Sequence, residues 1–155
     1  MNFFQSVKIC FVDFLNFKRR AQRSEYWWFQ LFSMLGFLFC FALDYGVLNY
    51  SFGEQYSYTP FIRGFELLTF LPLISVTARR LHDVGKSGWW QAPVYVFYLE
   101  YFIDFPYPED DRMLLWLDLP LVLYTLLLFI FLIRDGHPEA NRYGENPKRD
   151  VHRAA

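Results

Sequence analysis

Four apolar stretches, separated by short polar ones, dominate the pattern of the chain. They cover about residues 26–48, 61–78, 89–103 and 113–133. A helix needs about 20 apolar residues to cross the hydrocarbon core of a bilayer. The first and fourth stretches reach this length, whereas the second and third are shorter. The pattern predicts four transmembrane helices. A re-entrant pair formed by the second and third stretches is the alternative.

Residues 2–17 form a shorter amphipathic segment ahead of these spans. At the helical period of about 100° per residue, the phenylalanines fall on one arc, with Lys8 and Asp13 on the other. A helix this short and amphipathic does not cross a bilayer, so we expect it to lie in the membrane interface with its Phe face down. A helix packed against its own bundle buries the same arc and is an equal alternative.

The composition indicates a membrane protein rather than a soluble domain. Of the 155 residues, 54% are hydrophobic and 23% are aromatic. A soluble domain of this size has too small an interior for so much apolar surface. The formal net charge of -1 argues against a nucleic-acid-binding protein, which needs a surplus of Lys and Arg. We predict one all-α membrane domain over 1–155, with Cys10 and Cys40 as small packing residues.

Basic residues near the span ends predict the orientation. In a four-span arrangement Arg63 and Arg112 fall on one side of the membrane. The others fall on the opposite side: Lys18, Arg19, Arg20, Arg23, Arg79, Arg80, Lys86, Arg134 and Arg142. Because Lys and Arg concentrate in cytoplasmic loops, both termini are predicted to be cytoplasmic and the loop 104–112 to face outward. The cytoplasmic tail 134–155 is predicted to form turns followed by disorder.

Three polar segments on the predicted cytoplasmic side carry recognisable motifs. Residues 20–27 read R-x-x-R-x-E-Y-W, residues 79–90 read R-R-L-H-D-x-G-x-S-G-W-W, and residues 141–147 read N-x-Y-G-x-x-P. In this order and spacing the chain resembles the domain of unknown function 805 family, the YhaH-like bacterial inner-membrane proteins. The resemblance covers nearly the whole chain. It implies a small multi-pass protein of the bacterial inner membrane with no established biochemical activity.

Two positions depart from the pattern of the family that the chain resembles. Family members commonly have Gly where this chain has Arg19, and often Pro where it has Glu145. Arg19 adds a charge and removes a flexible backbone point, so a tight turn that needs glycine there is not expected in this chain.

The central segment 79–90 has residues found in nucleotide-binding and catalytic loops, but not their spacing. A phosphate-binding loop needs a glycine five residues before Gly85, where Arg80 stands, and a strand before it. His82 and Asp83 are adjacent, so on a helix they point about 100° apart, and no nucleophile is nearby. The His and Asp residues of this side lack the ligand spacing of a metal site. We therefore predict no catalytic residue, no metal and no cofactor.

The same polar residues are predicted to form a charge network. An unpaired charge costs about 2.5–3.5 kcal/mol at mid-membrane and less near the interface, so opposite charges there pair. We expect Asp83 and Glu25 to neutralise some of the arginines, and surplus cations to hold an anion such as a lipid phosphate. The predicted network, or anion and headgroup site, comprises Arg20, Arg23, Glu25, Arg79, Arg80, His82, Asp83, Lys86, Ser87, Asp135, Asn141 and Tyr143.

Several residues of the central segment also have predicted local roles. Arg79 and Arg80 end the second span and are expected to extend toward lipid headgroups. Gly85 is expected to permit a turn, and Ser87 to cap the third span.

Acidic residues inside the spans raise a second functional hypothesis. Glu66 and Asp118 lie deepest and form the candidate ion path, although Arg63 is placed to neutralise Glu66 from one helical turn away. We expect a non-catalytic interaction, lipid-binding or assembly module. Its expected partners are anionic membrane lipids, a second copy of the chain or another membrane protein, and not nucleic acid. A small transporter or channel subunit is the alternative, and an enzyme acting on lipid headgroups through His82 and Asp83 is a third hypothesis.

Overall fold

The computed structural model describes residues 1–46, 59–96 and 111–148, with side chains in the last range from residue 119 onward. The described elements are helical. They are α1 (Phe3–Val12), α2 (Arg23–Gly46), α3 (Pro60–Asp83), a 3-10 helix (Gly88–Gln91), the helical residues 92–96, called α4, and α5 (Asp111–Ile133). One isolated bridge between Asn141 and Gly144 is the β pairing within these ranges. The all-α prediction is confirmed for the described part of the chain.

Two helices are long and apolar enough to cross a membrane. They are α2 and α3, each of 24 residues. The described apolar part of α5, Leu119–Ile133, is shorter. The segment predicted over 61–78 continues to Asp83, so α3 exceeds the roughly 20 residues that a span requires. The remainder of the third predicted span, beyond residue 96, and the loop up to residue 110 lie outside the described residues.

Contacts divide the chain into two compact units. The first comprises Met1–Phe17 and Ser24–Val76, and the second comprises Lys18–Arg23 together with the chain from Thr77 onward. The first unit contains α1, most of α2 and most of α3. The second contains the last turns of α3, the helices that follow, and the polar tail.

The first unit begins with α1, which ends earlier than predicted. A capping box starts it, in which the Asn2 side chain accepts a hydrogen bond from the Gln5 N–H at 2.9 Å. The helix predicted over 2–17 ends at Val12, because Asp13 adopts a non-helical conformation. The hydroxyl of Ser75 then donates to the carbonyls of Asp13 and Asn16, both at 3.2 Å, and holds the turn that follows.

The apolar surface of α1 is only partly covered by the chain's own helices. The Phe11 ring lies 5.7 Å from the rings of both Phe29 and Phe32 in α2. Phe4, seven residues earlier and therefore at nearly the same angle around the helix, is 80% exposed, and Val12 is 69% exposed. The alternative of packing against the chain's own helices is therefore correct for part of this surface, and Phe4 and Val12 remain exposed.

Asp44 connects the end of α2 to the start of α3. Its side chain is fully buried, and its carboxylate accepts hydrogen bonds from the N–H groups of Phe61 at 3.2 Å and Ile62 at 2.8 Å. A helix leaves its first N–H groups without partners, and a negative charge is favoured there by the helix dipole. Asp44 thus caps α3 from a neighbouring helix, and Pro60, which has no N–H, opens that helix.

Replacing Asp44 tests this cap. Asp44→Ala removes both acceptor oxygens and should lower the free energy of unfolding by about 0.5–2 kcal/mol, the usual cost of losing a side-chain cap. Asp44→Asn keeps one acceptor oxygen and should fall between Asp44→Ala and the wild type. Thermal unfolding in detergent measures both. Identical melting of Asp44→Ala and the wild type would show that the cap contributes nothing.

Candidate functional site

The end of α3, the end of α5, the segment Lys18–Arg23 and the tail meet in the second unit. We call the side chains at this meeting point the helix-end cluster: Arg20, Arg80, His82, Asp83, Asn141 and Tyr143. Arg20, Arg80, His82 and Asp83 are each less than 10% exposed. The arrangement follows from local structure, since α3 carries three of these residues in its last turn and the tail returns to that turn after α5.

Asp83 lies at the centre of the helix-end cluster. Its carboxylate accepts a hydrogen bond from Arg20 Nε at 2.9 Å and is also bound by Arg80 Nη1. The pairing of Asp83 with Arg80 joins residues three apart on α3, whereas the pairing with Arg20 joins segments 63 positions apart. One buried carboxylate therefore neutralises two guanidinium groups from different parts of the chain.

The remaining donors of Arg20 bind backbone carbonyls of the tail. Its guanidinium donates to the carbonyls of His137 at 2.5 Å, Glu139 at 2.8 Å and Gly144 at 3.2 Å. A guanidinium carries five N–H donors, so Arg20 can bind Asp83 and several carbonyls at once. The tail is folded around this one side chain.

Arg80 binds the end of α5 in the same way. It donates to the Leu132 carbonyl at 3.1 Å and to the Arg134 carbonyl. The last carbonyls of a helix lack intrahelical partners and form the negative end of the helix dipole. Arg80 therefore satisfies the C-terminus of α5 from a different helix. It is fully buried, as is Arg79, so the prediction that both extend toward lipid headgroups is wrong.

The last carbonyls of α3 are satisfied by the polar segments. The Arg79 carbonyl accepts from the Ala21 N–H at 3.0 Å, the His82 carbonyl from Asn141 Nδ2 at 2.9 Å, and the Asp83 carbonyl from the His137 N–H at 2.9 Å. The segment before α2 and the tail after α5 thus cap the same helix end. The chain meets the backbone requirements of two helix ends with its own polar groups.

Two glycines are required by this geometry. Gly85 follows α3 with φ +74°, a left-handed conformation that L side chains rarely adopt, so the predicted turn is confirmed. Gly136 packs directly against the Asp83 carboxylate, and a Cβ on Gly136 would overlap it. Ser87 then caps the 3-10 helix by accepting from the Trp89 N–H at 3.4 Å, as predicted for the start of the third stretch.

The imidazole of His82 is covered by an aromatic ring. It stacks on Tyr143 with ring centroids 3.8 Å apart and an interplanar angle of 5°. The guanidinium of Arg142 lies 4.7 Å from the centre of the same Tyr143 ring. The 3-10 helix is close to His82 as well, because a Cβ on Gly88 would lie 3.5 Å from His82 Nε2. His82 is thus an internal packing residue of the cluster.

Other predicted network residues lie at the edge of the cluster or outside it. Arg23 and Asp135 form an exposed ion pair at 3.0 Å, with Lys148 at 3.7 Å from the same carboxylate. The hydrogen bond from Arg23, followed by the charges of Arg23 and Lys148, lowers the pKa of the Asp135 carboxyl. Lys86 lies 5.1 Å from the Trp90 ring centre. Glu25 is buried in the first turn of α2, within the first unit.

The candidate ion path is only partly described. Glu66 is bound by Arg63 at 3.4 Å, the neighbour predicted to neutralise it. The side chain of Asp118 lies outside the described residues. Within the described ranges, no three His, Cys, Asp or Glu side chains lie close enough together to hold a metal ion.

Several residues of the site were not found by sequence reasoning. Gly136, His137 and Ala21 act through backbone groups or the absence of a side chain, so residue chemistry gave no signal for them. The one available signal for Gly136 was its position in a turn-rich tail, directly after Asp135.

Asp83 and Asp135 form a matched pair for testing the cluster. Asp83→Asn leaves Arg20 and Arg80 buried without a negative charge and should lower the free energy of unfolding by about 3–5 kcal/mol. Asp135→Asn removes an exposed carboxylate and should change the melting temperature little, because water screens exposed pairs. Folded yield and thermal unfolding in detergent distinguish the two. Equal effects of both substitutions would contradict a central role for Asp83.

Most of the chain is similar to known bacterial proteins. The profile of the family described as "Protein of unknown function (DUF805)" matches residues 14–145. "Inner membrane protein YhaH" of Escherichia coli (strain K12) is 30% identical over 138 residues, which cover 88% of this chain and 90% of that protein. "Inner membrane protein YhaI" of the same strain is 29% identical over 136 residues, which cover 88% and 89%. No solved structure matches the chain significantly.

The family match includes every residue of the helix-end cluster, from Arg20 to Tyr143. It also includes α2 and α3, the two helices long enough to cross a membrane. The chain therefore belongs to the DUF805 family and is a multi-pass protein of the bacterial inner membrane.

Proposed function

We propose that this protein is a non-catalytic, four-span inner-membrane protein whose cytoplasmic polar segments form a rigid platform that binds anionic lipid headgroups. The observation that carries this proposal is the division of charges in the second unit. The buried guanidinium groups of Arg20 and Arg80 are used by Asp83 and by backbone carbonyls. A separate set of cations is exposed.

The exposed charges of the second unit favour a negatively charged partner. Five exposed cations lie in its described part: Lys18, Arg23, Arg134, Arg142 and Lys148. Three exposed acids lie in the same part: Asp135, Glu139 and Glu145. Each Lys or Arg near an anionic membrane surface contributes about 1 kcal/mol to attraction. The surplus supports lipid headgroups as the partner, with the buried network giving the surface a defined shape.

The proposed membrane arrangement has four spans and both termini in the cytoplasm. The lengths of α2 and α3 and the apolar composition of Leu119–Ile133 support it. The asymmetric distribution of Lys and Arg supports the orientation. The exposed apolar side chains Phe4 and Val12 of α1, with the exposed Lys8 one helical turn from each, support a position in the interface.

Two observations favour this function over the alternatives. An enzyme using His82 would need its imidazole open to substrate, whereas Tyr143 covers it. A transporter using Glu66 would need that carboxylate in an ion path, whereas Arg63 binds it. Both side chains are already engaged within the chain.

Reporter fusions test the arrangement in the membrane. We expect green fluorescent protein fused after Ala155 to fluoresce and alkaline phosphatase at the same place to be inactive, because folding of each reporter depends on its compartment. The opposite result is expected for insertions in the loop 104–112. Alkaline phosphatase activity at the C-terminus would exclude a cytoplasmic tail.

Native mass spectrometry tests lipid binding. The protein is transferred from vesicles of equal phosphatidylglycerol and phosphatidylcholine, and we expect it to retain phosphatidylglycerol preferentially. Arg134→Gln with Lys148→Gln should weaken this retention by about fivefold for each charge removed. Glu139→Gln, which removes an exposed acid, is the matched control and should retain at least as much. Equal retention of both lipids by the wild type would overturn the proposed function.

A further inference from the structure

His82 differs from every other charged or titratable side chain of the helix-end cluster because histidine titrates near neutral pH. It is 8% exposed, and its ring makes a hydrogen bond to the backbone of Arg19. Its second ring nitrogen, Nδ1, is buried and has no hydrogen-bond partner among the described residues. A neutral imidazole can leave such a nitrogen as an unused acceptor.

The surroundings of His82 are rich in positive charge. The tail contributes the Arg142 charge and the Tyr143 ring, and the segment before α2 contributes the backbone of Arg19 and the guanidinium of Arg20, which binds Asp83. On its own helix, Arg79 and Arg80 are buried nearby, and Asp83 already serves two guanidinium groups. The Lys86 ammonium of the loop after α3 lies over the Trp90 ring, and the 3-10 helix approaches His82 through Gly88, which carries no charge.

Protonation would therefore conflict with the closed structure. It would bury an Nδ1–H donor without an acceptor and add a cation to a cluster that already holds buried arginines. Stacking on Tyr143 offers little compensation, because Arg142 already lies against that ring. In water, both nitrogens of the protonated ring are hydrated. The proton thus binds more favourably when the tail has left His82.

We propose that His82 is a pH-sensitive latch: the neutral imidazole holds the tail against the end of α3, and acidification releases it. The tail contacts at stake are the Tyr143 stack and the bond from Asn141 Nδ2 to the His82 carbonyl. A released histidine titrates at about pH 6.5. Below that value the ratio of released to bound tail should rise by up to tenfold per pH unit, until the bound form also takes up the proton. Above that value the imidazole is neutral in both forms, so the ratio of released to bound tail is at its lowest and no longer changes with pH.

Hydrogen exchange measures the release directly. The N–H groups of His137, Asn141 and Gly144 are hydrogen-bonded in the closed structure. In lipid nanodiscs between pH 5 and 8, after correction for intrinsic exchange rates, their protection should fall by up to tenfold per pH unit below about 6.5. Amides of residues 60–76 in the first unit should keep their protection. Loss of both regions together would indicate global unfolding and overturn the proposal.

The other described histidine supplies a matched control. His137 is an exposed residue and binds the cluster through its backbone. His137→Gln should keep the pH dependence of tail protection, and His82→Gln should abolish it, whatever the absolute protection of that variant. A pH dependence that survives in His82→Gln, or disappears in His137→Gln, would overturn the proposal. So would a flat profile in the wild type.

Spectroscopy of the wild type keeps the test valid if His82→Gln fails to fold. With isotope-labelled histidine, nuclear magnetic resonance reports the protonation of each ring. We expect His82 to take up its proton only as tail protection is lost. A fully protonated His82 beneath a protected tail would overturn the latch.

Discussion

One buried carboxylate, shared by two buried guanidinium groups, holds the second unit together. Asp83 binds Arg80 from its own helix and Arg20 from the segment before α2. A buried ion pair adds little stability by itself, because desolvation of the charges offsets their attraction. It becomes effective here because each arginine also binds backbone carbonyls, which use the donors that Asp83 leaves over.

Those carbonyls explain why the polar segments have their composition. A helix ends with carbonyls that have no intrahelical partner, and lipid offers no donors to satisfy them. The chain supplies guanidinium, amide and backbone N–H groups from neighbouring segments instead. Arg80 completes the end of α5, and Asn141 with His137 completes the end of α3. Residues that resemble a catalytic set by type therefore perform backbone capping.

This division of labour shapes the functional conclusion. Charges used inside the cluster define its geometry, and a second set of charges lies at the surface. The surface set is dominated by cations, which fits an anionic membrane surface. The aromatic cover on His82 ties the position of the tail to the protonation of a single buried ring. The geometry of the cluster, the proposed binding of an anionic membrane and the proposed pH response of the tail thus depend on different residues of the second unit.

The amino-acid sequence by itself determined the helical class, the membrane environment, three polar segments and Asp83 as a partner for arginine. These follow from hydrophobic periodicity, span length and charge sign, which are local properties of the chain. Only the tertiary structure decided that α1 buries only part of its apolar surface, that Asp44 caps α3, and that Arg79 and Arg80 are buried. It also decided the role of Gly136, whose missing side chain makes room for the Asp83 carboxylate. Such contacts join residues that are far apart in sequence, and they often use backbone groups that every residue carries. A sequence pattern therefore does not predict them.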